Sequence, residues 1–433
     1  METKFIKTYG EIHPSWMIEL VADASHSERL KLLFFDGSQE RIQNDVVCTH
    51  PESSEKLHYL PADLDASVLR AIHFPADATG FGSTRELFDA ICSLVKKFTN
   101  LSDQYVSLVS YAILASWMVE FTNIPICLAI VGAPSAERRQ LLRLLRCLFR
   151  RSLLMSEVSL AGLCTLPMEL TPSLLIERCE PGAALEKFLH VTSSPGAHIA
   201  SKGQLLSVCC AKVICVDESL TSFDSDCPVV EIPLQPSTSP LPVLDELTQH
   251  QIAAEFQPKL LKYRLTNYMR VREFRWDAPD LDTPMRELAH CLAAAVAGDP
   301  ELQSNAMLLV KKEIAQPHLA SQKLFCAVVI RALLSFCHGA ENVSVGEISR
   351  EANKILAAKG ENLTLEPRAV GNVLRSIRLS PERLGARGRG IILLKSIRER
   401  IHAIAQDYGL TLMDPGNCNI CFAADPENRL SDA

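Results

Sequence analysis

The segment Gly132-Ala-Pro-Ser-Ala-Glu137-Arg138-Arg139 stands between an apolar run, Ile126 to Val131, and an amphipathic stretch rich in leucine and arginine. A glycine turn leading into a helix N-terminus offers backbone N–H groups to an anion. Phosphate recognition there follows G-x-x-x-x-G-K-[ST], where the lysine pairs with the terminal phosphates and the hydroxyl holds magnesium. In this chain Glu137 stands at the second glycine, Arg138 at the lysine and Arg139 at the hydroxyl residue. Glu137 brings a Cβ and a negative charge to the place of the phosphates. Arg138 keeps the positive charge as a planar fork instead of a compact ammonium. Arg139 cannot coordinate magnesium.

The elements that would position this turn are legible on either side. Ile126 to Val131 is continuous enough in its apolar character to be a strand buried on both faces. Ala136 to about Phe149 reads as the following helix. Upstream, Leu87, Ile91 and Val95 recur at helical spacing over Thr84 to Phe98, and Ser102 is placed to cap a helix running to about Glu120. Further buried strands are expected at Ser173 to Ile176, Ala211 to Val216 and Val229 to Leu234. Short apolar strands with helices between them specify an α/β fold around a parallel sheet. Residues 1 to 75 read as short strands and turns, including Leu30 to Phe35 before the turn Asp36-Gly37-Ser38.

Residues 84 to 234 resemble the P-loop, AAA-like ATPase domain of primase-helicase-type proteins from bacteria and mobile elements. Tyr105, Leu108, Tyr111 and Trp117 match the helix that precedes the phosphate loop in that family. Leu141, Leu142, Leu145, Leu148 and Arg150 match its arginine-rich helix. Pro172-Ser-Leu-Leu-Ile176-Glu177-Arg178 matches the strand carrying the metal-handling acid. By this resemblance Glu177 replaces an aspartate, a mild change, and Arg178 replaces the glutamate that polarises the attacking water. Arg178 cannot act as a base. Phosphoryl transfer rests on positioning and electrostatics, so the combined replacements at Glu137, Arg138, Arg139, Glu177 and Arg178 imply a domain without turnover. No cofactor is expected beyond weak nucleotide or anion binding through the arginines.

The C-terminal third changes character. Between Ser344 and His402 there are 12 Lys and Arg against 6 Asp and Glu, a local charge of +6, which leaves −13 on the rest of a chain whose net charge is −7. Ser344 and Glu347 form a capping-box pair for a helix to about Ala358. Thr364 is read as opening a second helix, Leu365 to Ile377, with Arg368, Asn372 and Arg375 outside Val370, Val373 and Leu374. A glycine-arginine tip and an apolar strand follow over Leu384 to Leu394. Helix, turn, helix and basic hairpin is the order of a winged helix, and it resembles the terminal domains of the same family. In such modules the second helix enters the major groove and the hairpin meets phosphates. The groove candidates are Arg368, Asn372 and Arg375, and the hairpin candidates are Arg387 and Arg389.

The expected organisation is a β-rich region (1–75), the ATPase-like domain (76–242), a helical region (243–320), the winged-helix-like domain (321–412) and a flexible tail (413–433). Gln235 to Pro242, with three prolines, reads as a linker, and Pro258 is expected to kink or divide the helix over Asp245 to Arg272. The longest uncharged stretch, Gln104 to Val119, is 16 residues, short of a membrane span of roughly 20. No secretion signal is visible and the 15 cysteines sit among apolar neighbours, so a cytoplasmic protein with reduced thiols is expected. Cys418-Asn-Ile-Cys421 supplies two thiols where zinc wants four ligands, so no metal is expected. The leading expectation is a catalytically inactive ATPase-like protein that binds DNA and acts as scaffold or regulator. Its alternatives are a divergent NTPase or DNA translocase, and a protein-interaction adaptor without nucleic acid.

Overall fold

In the computed structural model, residues 4–49, 56–180, 183–201, 204–217, 219–220, 228–234, 240–360 and 364–410 are described. The chain forms two units, residues 1–219 with 225–315, and residues 220–224 with 316–433. The first begins with strands β1 (Lys4–Thr8), β2 (Gly10–His13), β3 (Trp16–Asp23), β4 (His26–Phe35), β5 (Glu40–Gln43), β6 (Val46–Thr49) and β7 (Lys56–Pro61). β2 to β5 form an antiparallel meander, while β1, β7 and β6 make a second sheet in that order, with β1 parallel to β7. The Asp36 carboxylate accepts from the N–H groups of Ser38 and Gln39, closing the turn between β4 and β5. β3 is deeply buried, with Met17 to Val21 all inaccessible or nearly so.

Helices α1 (Ala66–Ala71), α2 (Thr84–Phe98) and α3 (Asp103–Ser116) follow. α2 starts at a complete Ser83/Glu86 capping box, and its buried face is Leu87, Phe88, Ile91, Val95 and Phe98. α3 is buried throughout from Leu108 to Ser116 and ends earlier than expected. Trp117 leaves the helix there and donates its indole N–H to the Leu148 carbonyl at 2.9 Å. A separate 3-10 turn covers Val119–Phe121.

The central layer is then laid down by β8 (Cys127–Val131), α4 (Ala136–Leu148), β9 (Ser152–Met155), α5 (Leu160–Leu163), β10 (Ser173–Ile176) and α6 (Ala183–Ser193). A short antiparallel hairpin, β11 (His198–Ser201) and β12 (Gln204–Ser207), precedes β13 (Lys212–Val216) and β14 (Val230–Pro233). The sheet is wholly parallel, ordered β14-β8-β13-β10-β9. Its central strands β8, β13 and β10 are nearly inaccessible on both sides, which explains their largely apolar sequences. β9 and the β11/β12 hairpin are additions to what the sequence indicated.

Helices α7 (Glu246–Glu273), α8 (Thr283–Ala294) and α9 (Pro300–Leu309) close the unit. α7 runs unbroken through Pro258, contrary to the expected division. Loss of a backbone donor there is costly, and tertiary anchoring offsets it: Gln257 donates to the carbonyls of Cys147 and Phe149, and Leu260 and Leu261 are buried beside it. One apolar cluster joins Met17, Val21 and Leu33 of the meander to the sheet and to α7, α8 and α9. Those parts of the regions 1–75, 76–242 and 243–320 that belong to the first unit therefore share a core.

The second unit comprises α10 (Gln316–Cys337), β15 (Asn342–Ser344), α11 (Val345–Ala358), α12 (Pro367–Ser376), β16 (Glu382–Arg383), β17 (Arg389–Ile392) and α13 (Lys395–Asp407). The Ser344/Glu347 capping box is present at α11. α12 opens later than expected, at Pro367 after Glu366, because proline is favoured in a first helical turn and Leu365 is instead tied down by Asn353. β15, β17 and β16 form an antiparallel sheet in that order. A Cβ on Gly390 would lie 2.2 Å from the Val343 carbonyl, so only glycine fits this strand crossing. α13 was not foreseen.

No helix of the described residues is long and apolar enough to cross a membrane. The twelve described cysteines are unbridged, and burial pushes the thiols of Cys147, Cys210, Cys215 and Cys291 up to about 12. Cys418 and Cys421, most of the linker and the tail lie outside the described residues.

Candidate functional site

The parallel sheet brings three loop origins side by side at the C-terminal ends of its strands: Gly132 after β8, Asp217 after β13 and Glu177 after β10. Open α/β sheets carry their ligands at this edge. Gly132 has φ +139, so the turn needs glycine for its conformation, while an added Cβ would meet the Leu234 carbonyl at an ordinary contact distance of 3.4 Å. Its N–H donates to the Val216 carbonyl at 3.0 Å. Ser135 caps α4, taking the Arg138 N–H on its hydroxyl at 3.1 Å and the Arg139 N–H on its carbonyl at 3.3 Å. Pro134 has no N–H to give. Much of the cradle that would grip a phosphate is thus already engaged by the protein or missing.

Arg138 is the centre of the arrangement. Its side chain is 3% exposed. Nη1 donates to the Gly132 carbonyl at 2.8 Å and to Asp217 Oδ1 at 2.9 Å, while Nη2 donates to the Glu177 carbonyl at 2.8 Å. The guanidinium therefore turns back onto its own loop and ties together the ends of β8, β13 and β10. A lysine could satisfy fewer of these acceptors at once, since the planar fork sets the geometry. Asp217, which the sequence reading passed over, is 61% exposed and supplies the only carboxylate among the Arg138 bonds just described. Its signal was the acidic residue directly after the buried run Lys212 to Val216.

The other loop residues do not converge on a metal or a base. Glu137 lies in the first turn of α4, where a carboxylate answers the helix dipole that a phosphate would otherwise use. A recess beside it, lined by Thr99, Leu141 and Leu234, holds about 10 Å³, room for roughly one water. Arg139 is exposed. Glu177 is half-buried, its N–H held by the Met155 carbonyl. Arg178 points to solvent and pairs with Glu180 at 3.6 Å. No group of three or more metal-binding side chains occurs among the described residues.

A second charged constellation lies deeper in the same unit. Glu19 on β3 is 3% exposed and accepts from Arg150, Arg151 and Arg264 at 2.6 to 3.1 Å. Glu120 accepts from Arg150 at 2.7 Å and from Arg264 at 2.8 Å. Burial alone would raise the Glu19 pKa, but the three guanidiniums reverse that and hold it far below the ordinary carboxylate range. Glu120 is lowered in the same way against its own burial, by Arg150 and Arg264. This is a structural tie between the meander, the loop after α4 and the middle of α7.

In the second unit, Arg368 and Arg375 are exposed on α12, opposite its buried face of Val370, Gly371 and Leu374. Asn372 lies between them and accepts from Arg375 Nη1 at 2.8 Å. Arg387 occupies a 3-10 turn between β16 and β17, with Nη1 3.4 Å from Asn342 Oδ1, and Arg389 opens β17. Both are exposed. The register also places Arg383 of β16 directly opposite Arg389, a pairing that the sequence reading missed because β16 is only two residues long.

No family model matches the chain, and no curated protein is similar to it. Among solved structures it is similar to a full-length MCM homolog from Methanopyrus kandleri, with a TM-score of 0.32 and 11% identity over 68% of this chain and 75% of that one. It is also similar to the apo C-terminal region of NrS-1, with a TM-score of 0.33 and 12% identity over 87% of this chain and 96% of that one. Likeness at this level identifies no family and lends no residue a role.

Proposed function

We propose that this chain is a P-loop ATPase-like protein that does not turn over nucleotide, binds DNA through a winged-helix-like second unit, and serves as a scaffold or regulator. The observation that carries the first part is the Arg138 guanidinium, bonded to Gly132, Asp217 and Glu177 in the place where a nucleotide would need a free cation. A catalytic site must keep its electrostatic donors aimed at charge that develops on the substrate. Here that cation is engaged by the protein itself, and Arg178 offers no base.

DNA binding is supported by the exposed face of Arg368, Asn372 and Arg375 and by the basic hairpin with Arg387 and Arg389. The facing pair Arg383 and Arg389 adds to it. Like charges directly opposite on a hairpin are destabilising on their own, and a phosphate between them would relieve the repulsion. The test is to measure phosphate release by the full chain with and without duplex DNA, alongside gel shifts across a salt series. The proposal expects no release above background and DNA affinity that falls steeply as salt rises. DNA-stimulated release abolished by Arg138→Ala would establish an active enzyme instead, and absence of any shift at low salt would remove the DNA part.

A further inference from the structure

A cleft of about 410 Å³ opens in the first unit away from the Gly132 turn, between the end of β3, α1, α4 and the start of α7. Its polar lining includes Arg70, His73, Arg146, Glu246 and His250, and its apolar wall is formed by Leu30, Leu69, Ile72 and Phe74. We infer that this cleft binds a small organic anion, a carboxylate or phosphate monoester with an apolar body, held by Arg146 and Arg70 with His73 as a hydrogen-bond partner.

Three features of the cleft point to such a ligand. His73 Nε2 is buried without a hydrogen-bond partner among the described residues, a condition that costs stability. The His73 ring stands edge-on to His250 at 5.4 Å, which fixes its direction. Burial, helped by Arg146 and His250, holds the His73 imidazole down at about 4, so near neutral pH it has one N–H donor and one acceptor. Arg146 donates through Nε and Nη2 to the Ala71 carbonyl, which anchors the guanidinium and leaves Nη1 without a described partner. An oxyanion is the natural complement of an anchored fork with a free donor.

Asp23, also in the lining, is already engaged by Ser25 and by Lys31 at 3.1 Å. Arg70 also lies in the field of Asp65, so the donor left to a ligand is the anchored Arg146 guanidinium. The apolar wall makes a bare inorganic ion a poor match and an aromatic or aliphatic body a good one.

The experiment uses the full chain with benzoate, phenyl phosphate and neutral benzyl alcohol as probes, read by the imidazole nitrogen and proton shifts of His73, assigned with His73→Gln. Saturable shifts with one or both anions and none with benzyl alcohol are expected, and the stronger anion decides between carboxylate and phosphate. Arg146→Gln should remove the saturable shift, and the surface change Arg70→Gln, which leaves the packing intact, should weaken binding by about fivefold because one charged donor is gone. Equal shifts with benzyl alcohol, failure of both anions to saturate, or affinities unchanged in Arg70→Gln would overturn the inference.

Discussion

Two sets of arginines, one in each unit, are used in opposite ways. In the first, Arg138, Arg150, Arg151 and Arg264 are all buried, and their guanidiniums are bonded to carbonyls and carboxylates of the same unit. In the second, Arg368, Arg375, Arg383, Arg387 and Arg389 are exposed, and Arg383 faces Arg389 across a hairpin. The same side chain is an internal cross-link in one place and an offered charge in the other. Burial, and not the count of basic residues, decides which: a desolvated guanidinium must be paired at home, whereas a solvated one remains available to a partner.

The contrast can be broken most severely at Glu19. Glu19→Gln leaves three arginines around a neutral amide, and removing one partner from a buried ionic cluster costs about 3–5 kcal/mol. Denaturant unfolding of the full chain should show that loss. A change of well under about 1 kcal/mol, the value of an exposed pair, would mean the cluster is effectively solvated. The same carboxylate predicts an acid dependence. Its folded pKa lies below the ordinary value, so its contribution is complete above about pH 4.3 and is lost as the pH falls further through the folded value. Glu19→Gln should therefore flatten the decline in stability below that pH.

Next in size is Arg138→Ala, which strands the Gly132 and Glu177 carbonyls. Charged hydrogen bonds of this kind contribute about 1.5–3 kcal/mol, and the loss should again appear in denaturant unfolding. Arg138→Lys should recover only part of it, because an ammonium cannot reproduce the fork. Full recovery by lysine would show that the geometry of the guanidinium is unimportant.

The hairpin sharpens the comparison from the other side. Arg383→Gln should leave the free protein as stable as before, or more stable by up to about 1 kcal/mol, because it removes a facing like charge. The same change should weaken DNA binding and lower the salt slope by about 0.9, since one fewer phosphate would be neutralised. Lower stability together with unchanged DNA binding would place Arg383 in the fold's internal bonding. The smallest effect is expected for Asp217→Asn: the carboxylate is 61% exposed, so its loss should cost no more than about 1 kcal/mol.

Local signals carried much of the architecture. The Ser344/Glu347 box placed one helix start and the spacing of Leu87, Ile91 and Val95 another, and the largely apolar runs at 126–131, 173–176 and 211–216 declared a buried sheet because its central strands are covered on both faces. What escaped was non-local. Glu19 meets Arg150 and Arg264 across 131 and 245 residues of sequence, and no periodicity reports such a meeting. Pro258 looked like a helix break because the packing that tolerates it comes from α4. At the candidate site, the types of Glu137, Arg138 and Arg139 were readable. The direction in which Arg138 turns, and Asp217 as its partner, depended on the strand order.

Whether the self-bonded Arg138 closes the loop to nucleotide is tested most sharply by isothermal titration of the full chain with ATP and magnesium. With Arg138 bonded into its own loop, no saturable heat is expected, which corresponds to a Kd weaker than about 1 mM. Magnesium-dependent binding in the micromolar range, lost in Arg138→Ala, would show that the guanidinium leaves its internal partners for the nucleotide and would contradict the inactive reading.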